Sequence, residues 1–396
     1  MSATTTDHDQ VLDAAENLLR RFPPASTDDE KFLVAQYEAG LAWVHFPIGR
    51  GGLGLSRSLQ GEVDDRLAAA GAPSAELNNS MGYHIAAPTI LAWGTDEQQQ
   101  RYLPPLFRCA EFWCQLFSEP GSGSDAASAS TRAVRDGDAW VVNGQKVWTS
   151  MAHLADRGML IARTNPDVPK HKGLTYFALD MHAEGVDIRP LRQMTGDAEF
   201  NEVYLTDVRI PDSDRLGPVG EGWQVAVSSL MNERVAFGAE DMLRGPINAA
   251  MGAFERRRPT DPELRSRLID LWVQTHVAEL TNVRAAANLA KGKAGPEASV
   301  GKVNFADISQ LGYDLAMDIL GTEGLLYDSY EMRELDKKKV ISTTTDPKRA
   351  YLRARGNSIE GGTSEIMRNI LGERVLGLPP DMRADKDVPW AKLPRN

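Results

Sequence analysis

Gln115-Leu-Phe-Ser-Glu-Pro-Gly-Ser-Gly-Ser-Asp125 is the stretch on which the reading of this 396-residue chain turns. It places hydroxyls and glycines directly after an apolar, strand-like run. Backbone there can approach a ligand closely while serine side chains and exposed N–H groups supply donors. Such a loop suits a phosphate or the polar edge of a flat ring. The competing reading is a plain surface turn, because Pro, Gly, Ser and Asp are turn formers.

The pattern differs on the two sides of this stretch. Upstream, from Gln10 to about Phe112, apolar residues recur at helical spacing, broken at Pro23-Pro24, at 49–54 and at Gly71-Ala-Pro73. Downstream, from Cys114 to about Pro218, short runs such as Trp140-Val-Val142, 174–179 and 202–205 alternate with Gly, Asp, Asn and Pro turns, the mark of a small β unit. Helical periodicity returns from Gly222 to about Leu376, with loops near 257–261 and 292–296. The expected architecture is α+β, in the order α, β, α, with units at 1–113, 114–220 and 221–378. The polar, proline-broken tail at 379–396 reads as loosely held.

Composition excludes several classes. Lys and Arg number 44 against 55 Asp and Glu, a net charge of −11, and no basic cluster interleaves with aromatics, so nucleic acid is not an expected partner. The two cysteines, Cys109 and Cys114, match no zinc or redox spacing and fit a reducing compartment, so no metal is expected. The opening MSATTTDHDQ has neither a signal core nor transit character, and no stretch reaches the roughly 20 apolar residues of a membrane span. The expectation is a cytoplasmic protein that does not enter a membrane.

Three further segments carry chemistry. Val141-Val-Asn-Gly-Gln-Lys-Val-Trp-Thr-Ser150 reads as a hairpin through Asn143-Gly144 and then a strand bearing Trp148, with Ser150 on the same side. Trp148 is either core or a wall for a flat ring. On the helix from Gly222, Ala226, Leu230, Glu233 and Phe237 form one stripe in which Glu233 is the only charge. A carboxylate on an apolar stripe is costly unless paired or used, which makes Glu233 a candidate general base; pairing with Arg234 is the alternative. Gly356-Asn-Ser-Ile-Glu-Gly-Gly-Thr-Ser-Glu-Ile-Met-Arg-Asn-Ile370 reads as a helix start whose free N–H groups can meet an oxyanion or phosphate.

Together these segments resemble the acyl-CoA dehydrogenase family from Gln10 to Pro379. The matches are Phe117-Ser-Glu-Pro-Gly-Ser-Gly-Ser-Asp125, Asn143-Gly-Gln-Lys-Val-Trp148, Glu199-Phe-Asn-Glu-Val203 with Asp207-Val-Arg-Ile-Pro211, and Gly362-Thr-Ser-Glu-Ile366 with Arg368-Asn-Ile370. The resemblance implies an N-terminal helical domain, a central β-barrel-like domain and a C-terminal four-helix bundle, assembled as homo- or heterotetramers. It implies FAD as cofactor, an acyl-CoA as substrate and an electron-transfer flavoprotein as acceptor. Leu116, Phe117, Ser118, Gly123 and Ser124 are expected to line the flavin, with Ser124 also near the CoA arm. Trp148, Thr149 and Ser150 would border the isoalloxazine, while Gly321, Thr363, Ser364 and Glu365 would contact the FAD of this or a neighbouring subunit. Arg234, Gly361 and Gly362 are expected on the substrate side.

Many members of the family carry the base directly before Gly-Thr-Ser, where this chain has Gly361, with Glu360 one residue early. A second group carries it in a Glu-Arg pair on the first helix of the C-terminal domain, and Glu233-Arg234 matches that pair. The family's Arg-x-x-Phe-Gly motif is replaced near 254–263, where Arg256, Arg257 and Arg258 are the candidates, and Asp318 and Thr322 depart from the usual Gln and Gly. These departures resemble a bacterial subgroup that includes sterol-side-chain and heteromeric dehydrogenases. A subunit that completes another chain's FAD site, and a flavin oxidase or monooxygenase on the same fold, are the alternatives to an active dehydrogenase.

Overall fold

The computed structural model describes residues 5–236, 240–290, 297–334, 346–380, 382 and 385–394. The loop expected at 292–296 falls wholly outside the described residues, as does Phe237. The first unit comprises α1 (Thr5–Arg21), α2 (Asp29–Glu38), α3 (Gln60–Ala69), the single turn α4 (Ala75–Asn78), α5 (Ala87–Trp93) and α6 (Asp96–Phe107). A π-helical turn, Gly82–Ala86, leads into α5. Starts are set by side chains: Asp28 accepts from the N–H of Glu30 and Lys31, and Thr95 with Gln98 forms a capping box on α6.

The central unit is one sheet built from β1 (Trp113–Leu116), β2 (Arg132–Asp136), β3 (Ala139–Ser150), β4 (Arg157–Arg163), β5 (Leu174–Asp180), β6 (Val186–Pro190), β7 (Phe200–Pro211) and β8 (Arg215–Leu216). Its order is β6-β7-β3-β2-β4-β5-β8, with β1 parallel to β4. β4 and β5 are apolar on both faces because both faces are covered. One face packs with Cys114, Leu116, Trp140, Val142 and Phe177 in the interior of the sheet. The other joins the aromatic core of the helical unit, Trp43, Phe46, Tyr83 and Phe107, through Ile161, Leu174 and Tyr176.

The third unit starts with α7 (Gly222–Ala236), followed by α8 (Glu240–Arg257), α9 (Pro262–Ala290), α10 (Glu297–Leu320), α11 (Pro347–Arg353) and α12 (Ser364–Arg374). α8, α9 and α10 share a core of Leu243, Ile247, Leu271, Phe305 and Leu315, whereas Val225 and Ala226 of α7 belong to the core under the sheet. Among the described residues no helix is long and apolar enough to cross a membrane.

Two expectations are corrected. The hairpin turn is at Gly137-Asp138, not at Asn143-Gly144, which stay inside β3. A Cβ on Gly144 would lie 2.7 Å from the Cα of Thr131, so the glycine admits a neighbouring backbone. Asn143 meanwhile pairs with Asp207 through two 2.9 Å hydrogen bonds. The tail is also held rather than loose. Trp390 receives the Arg163 guanidinium over its ring at 4.6 Å and donates from Nε1 to the Ser128 carbonyl at 3.1 Å, while Lys170 pairs with Asp385. We expect Trp390→Ala to cost about 2 kcal/mol, read as a lower urea midpoint, because a cation–π contact and a hydrogen bond are lost with the apolar area.

Candidate active site

α7 is fixed before it reaches Glu233. Its first residue, Gly222, lies so close to β5 that a Cβ would come within 2.5 Å of Thr175 backbone atoms. Two turns on, the buried Ser229 hydroxyl meets Thr89 Oγ1 at 3.0 Å and Tyr176 OH at 3.1 Å, tying α7 to α5 and β5. Ala226 is buried and Leu230 partly so, and Glu233 follows at the same spacing, half-buried. Its Oε2 lies 3.5 Å from Nε2 of Gln115 on β1, a long contact that aims the carboxyl at the start of the serine-rich loop. The Arg234 side chain lies outside the described residues.

The loop itself is braced from below. Glu119 and Ser122 exchange backbone hydrogen bonds of 2.9 and 3.0 Å across the Pro-Gly turn. The buried Glu119 carboxylate accepts from Lys146 Nζ at 2.8 Å, from Thr131 N at 2.9 Å and from Ser130 N at 2.6 Å. Burial raises its pKa, but the Lys146 charge and these donors outweigh burial and hold it at about 2. Lys146 Nζ also donates to the Phe117 carbonyl at 3.1 Å, and Val147 N to the Ser118 carbonyl at 3.0 Å. β3 and the loop therefore move as one piece, and Gly123 and Ser124 are left exposed, with nothing within 4 Å of a Cβ on Gly123.

Trp148 reaches this edge through a bulge. The pairing of β3 with β7 shifts between Lys146 and Thr149, and Trp148 adopts φ 60°. Trp148 and Ser150 are both on the more exposed side of β3 after the bulge, as the alternation leads one to expect. The indole is 62% exposed while Val147 and Thr149 are buried. Its edge meets Phe200 at 6.1 Å between ring centroids.

Behind Phe200 stands a charge network that no local pattern announces. Arg353 donates to Glu199 at 2.8 Å and to both oxygens of Glu360, at 3.2 and 2.8 Å, with its guanidinium 5.1 Å from the Phe200 ring. Burial opposes the Arg353 charge, but the two carboxylates outweigh it and hold its pKa above the ordinary value. Burial likewise raises Glu199, against the pull of Arg353. Asp197 binds Arg333 and Arg349 at 2.6 and 2.7 Å. The turn after Glu360 uses positive φ at Gly361 and Gly362, and Thr363 Oγ1 caps α12 by accepting from Ile366 N. Arg353→Met should strand two carboxylates, costing about 2 kcal/mol and weakening flavin retention. Thermal unfolding and flavin absorbance per chain check this; no change in either would deny Arg353 its positioning role.

The structure thus brings Phe117, Ser118, Trp148, Gln115 and Glu233 to one edge, with Glu360 to Thr363 behind Phe200. Leu116 is not among them: its side chain is fully buried in the interior of the sheet, packed on Gly158. Alternation along β1 turns Gln115 and Phe117 the other way, so Gln115 is the residue that sequence reasoning missed. Gly321 follows the end of α10, in the turn whose Glu323 pairs with Arg256 at 3.6 Å and Arg257 at 3.8 Å, two of the arginines considered for the missing motif. Lys302 was also missed. It is buried, and burial holds its pKa below the ordinary value against the charges of Glu360 and Glu233, which act to raise it.

The residues present fit a flavin. An exposed indole borders a loop with an open glycine and a free-standing serine, and the buried hydroxyls of Thr149 and Ser364 have no hydrogen-bond partner among the described residues. Among the described residues no His, Cys, Asp and Glu grouping could hold a metal.

Comparison with known proteins agrees along the chain. Family models for the N-terminal, middle and C-terminal domains of acyl-CoA dehydrogenase match residues 6–109, 114–208 and 220–376. The acyl-CoA dehydrogenase IpdE1 of Mycobacterium tuberculosis is 37% identical over 348 residues, covering 87% of this chain and 86% of that protein. FadE34 of the same organism is 39% identical over 90% of this chain, but this chain spans only 47% of its length. The ChsE4-ChsE5 complex from Mycobacterium tuberculosis superposes with a TM-score of 0.69 at 28% identity, over 96% of this chain and 100% of that one. The chain belongs to the acyl-CoA dehydrogenase family, whose members are FAD-dependent oxidoreductases.

Proposed function

We propose that the protein removes an α proton and a β hydride from an acyl-CoA thioester to give the enoyl-CoA, with Glu233 as the base. The observation that carries this reading is the placement of Glu233, half-buried on a pinned helix with its carboxyl 3.5 Å from Gln115 at the β1 edge. Glu360, the other candidate carboxylate, is held by Arg353 through two hydrogen bonds. The α C–H of a thioester is weakly acidic, so the carbonyl must be polarised as the proton leaves; the backbone N–H of Gly361 is assigned to that task. Glu233 takes the proton from one face. FAD, when bound, supplies the hydride acceptor on the other. Trp148 and the loop from Phe117 to Ser124 hold that face, and Leu230 and Ala226 help keep water from the carboxylate. Ser124 and Gly362 are placed on the CoA side, Thr149 and Ser150 beside the ring, and Thr363 with Glu365 toward the rest of the cofactor.

An electron-transfer flavoprotein is the proposed acceptor, and the proposed assembly is a tetramer of this chain or of this chain with a related one. Ile269, Trp272, Val273, Val277, Leu280 and Val283 form an exposed apolar stripe along α9, at the spacing of a face meant for another helix. A second reading, in which the chain completes a partner's FAD site, is favoured by the engagement of Asp318 with Arg267 at 2.8 Å and of Glu323 with Arg256 and Arg257. Purification separates the two: about one FAD per chain, bleached anaerobically by an acyl-CoA, supports the first, and a colourless chain that takes up flavin only with its partner supports the second.

A further inference from the structure

The loop from Glu119 to Thr131 is clamped at both ends, and the second clamp depends on the last described segment of the chain, 385–394. Glu119 and Lys146 secure the near end. At the far end the carbonyls of three consecutive residues are each taken by a donor. The Arg163 guanidinium donates to Ala127 at 2.6 Å and to Ala129 at 3.0 Å, and Trp390 Nε1 donates to Ser128, between them, at 3.1 Å. With the Trp390 ring 4.6 Å from its guanidinium, Arg163 is 2% exposed. Asp125 joins this clamp to the turn. Its carbonyl accepts from Ser122 Oγ at 2.6 Å and its carboxylate from Lys170 Nζ at 2.7 Å, and Lys170 pairs in turn with Asp385. Between the two clamps Gly121, Gly123 and Ser124 stand exposed.

The segment 385–394 is a strap and not a piece of core. None of its residues is fully buried, and its backbone is moored to the connection between β4 and β5, from Trp390 N to the Val168 carbonyl and from Ala391 N to the Pro166 carbonyl, each at 2.9 Å. A Pro-Gly-Ser turn without such ties samples many backbone shapes, from which a ligand would have to select one. Holding one shape beforehand lowers that cost of association. We propose that 385–394 is a positioning strap for the active site: through Asp385 and Trp390 it holds the turn at Gly121–Ser124 in the shape that receives FAD. The proposal rests on the reading that this loop borders the cofactor.

The test breaks both contacts in the double variant Asp385→Ala/Trp390→Ala and compares it with Val11→Ala, which opens a cavity in a core that does not include the loop and so lowers stability alone. Amide exchange is followed by mass spectrometry across 119–129 in flavin-free protein, where the N–H groups of Glu119, Ser122, Ser128 and Ala129 are hydrogen-bonded within the loop. FAD Kd is followed by quenching of flavin fluorescence. We expect exchange about tenfold faster and FAD about tenfold weaker in the strap variant, and neither change in Val11→Ala. Trp390→Phe keeps a ring over Arg163 but loses the donor to Ser128, and should show the same changes at about threefold even if the double variant does not fold. Exchange at the parent rate in the variants that fold would overturn the strap and leave the cofactor reading intact. Faster exchange with parent FAD affinity would overturn it too, as would equal losses in Val11→Ala. If the parent itself takes up no FAD, the cofactor reading fails and the strap's role with it.

Discussion

Glu233→Gln lowers turnover of an acyl-CoA by the FAD-loaded protein about 10²- to 10⁴-fold, the range for losing a general base, while flavin content is unchanged. The amide keeps the shape and the contact with Gln115 but cannot accept the α proton. FAD retention is expected because Glu233 is on α7, whereas the loop proposed to border the cofactor is braced by Glu119 and Lys146. Glu360→Gln has a different expected result. It weakens the Arg353 clamp and costs some stability, but leaves the chemistry within about tenfold, since Arg353 retains Glu199. Stopped-flow flavin reduction on both variants measures the difference. A large loss confined to Glu360→Gln would transfer the role of base to Glu360.

Lys146→Met is the largest expected effect on stability, about 3–5 kcal/mol, because it leaves a buried carboxylate without its counter-charge. The loss shows as a lower denaturation midpoint, together with release of flavin, since the carbonyl of Phe117 loses its donor as well. The pH dependence has a definite sign. Glu119 has a folded pKa of about 2, below its ordinary value, so its contribution is complete above the unfolded carboxylate range and is lost as the pH falls toward 2. The variant should therefore lose part of the acid-side slope of stability that the parent shows. A variant as stable as the parent would mean that the pair is dispensable.

Much of this arrangement was open to sequence reasoning, where the signal was local. Glycines and serines after an apolar run marked the loop, and the spacing of Ala226, Leu230 and Glu233 placed the carboxylate on the face that the structure half-buries. Lys146 could have been found by parity, since Trp140 and Val142 set the inner face of β3. Other features depend on contacts that sequence spacing does not encode. Asn143-Gly144 carries the chemistry of a turn, yet the approach of Thr131 uses that glycine inside a strand. Trp390 has partners at Ser128 and Arg163, more than two hundred residues away, so its polar neighbours suggested a free tail. Arg353 joins Glu199 to Glu360 only because α11 returns to the sheet. The one-sided environment of Leu116 was misjudged because a motif match does not show which way a strand residue points.

The central claim concerns one proton, and hydrogen exchange follows it directly. An acyl-CoA analogue with no removable β hydrogen, incubated with flavin-loaded protein in deuterated buffer, can exchange only at its α carbon. NMR of that carbon should show deuterium washed in by the parent and by Glu360→Gln, and none above the buffer rate with Glu233→Gln. Exchange that survives in Glu233→Gln and disappears in Glu360→Gln would contradict the account.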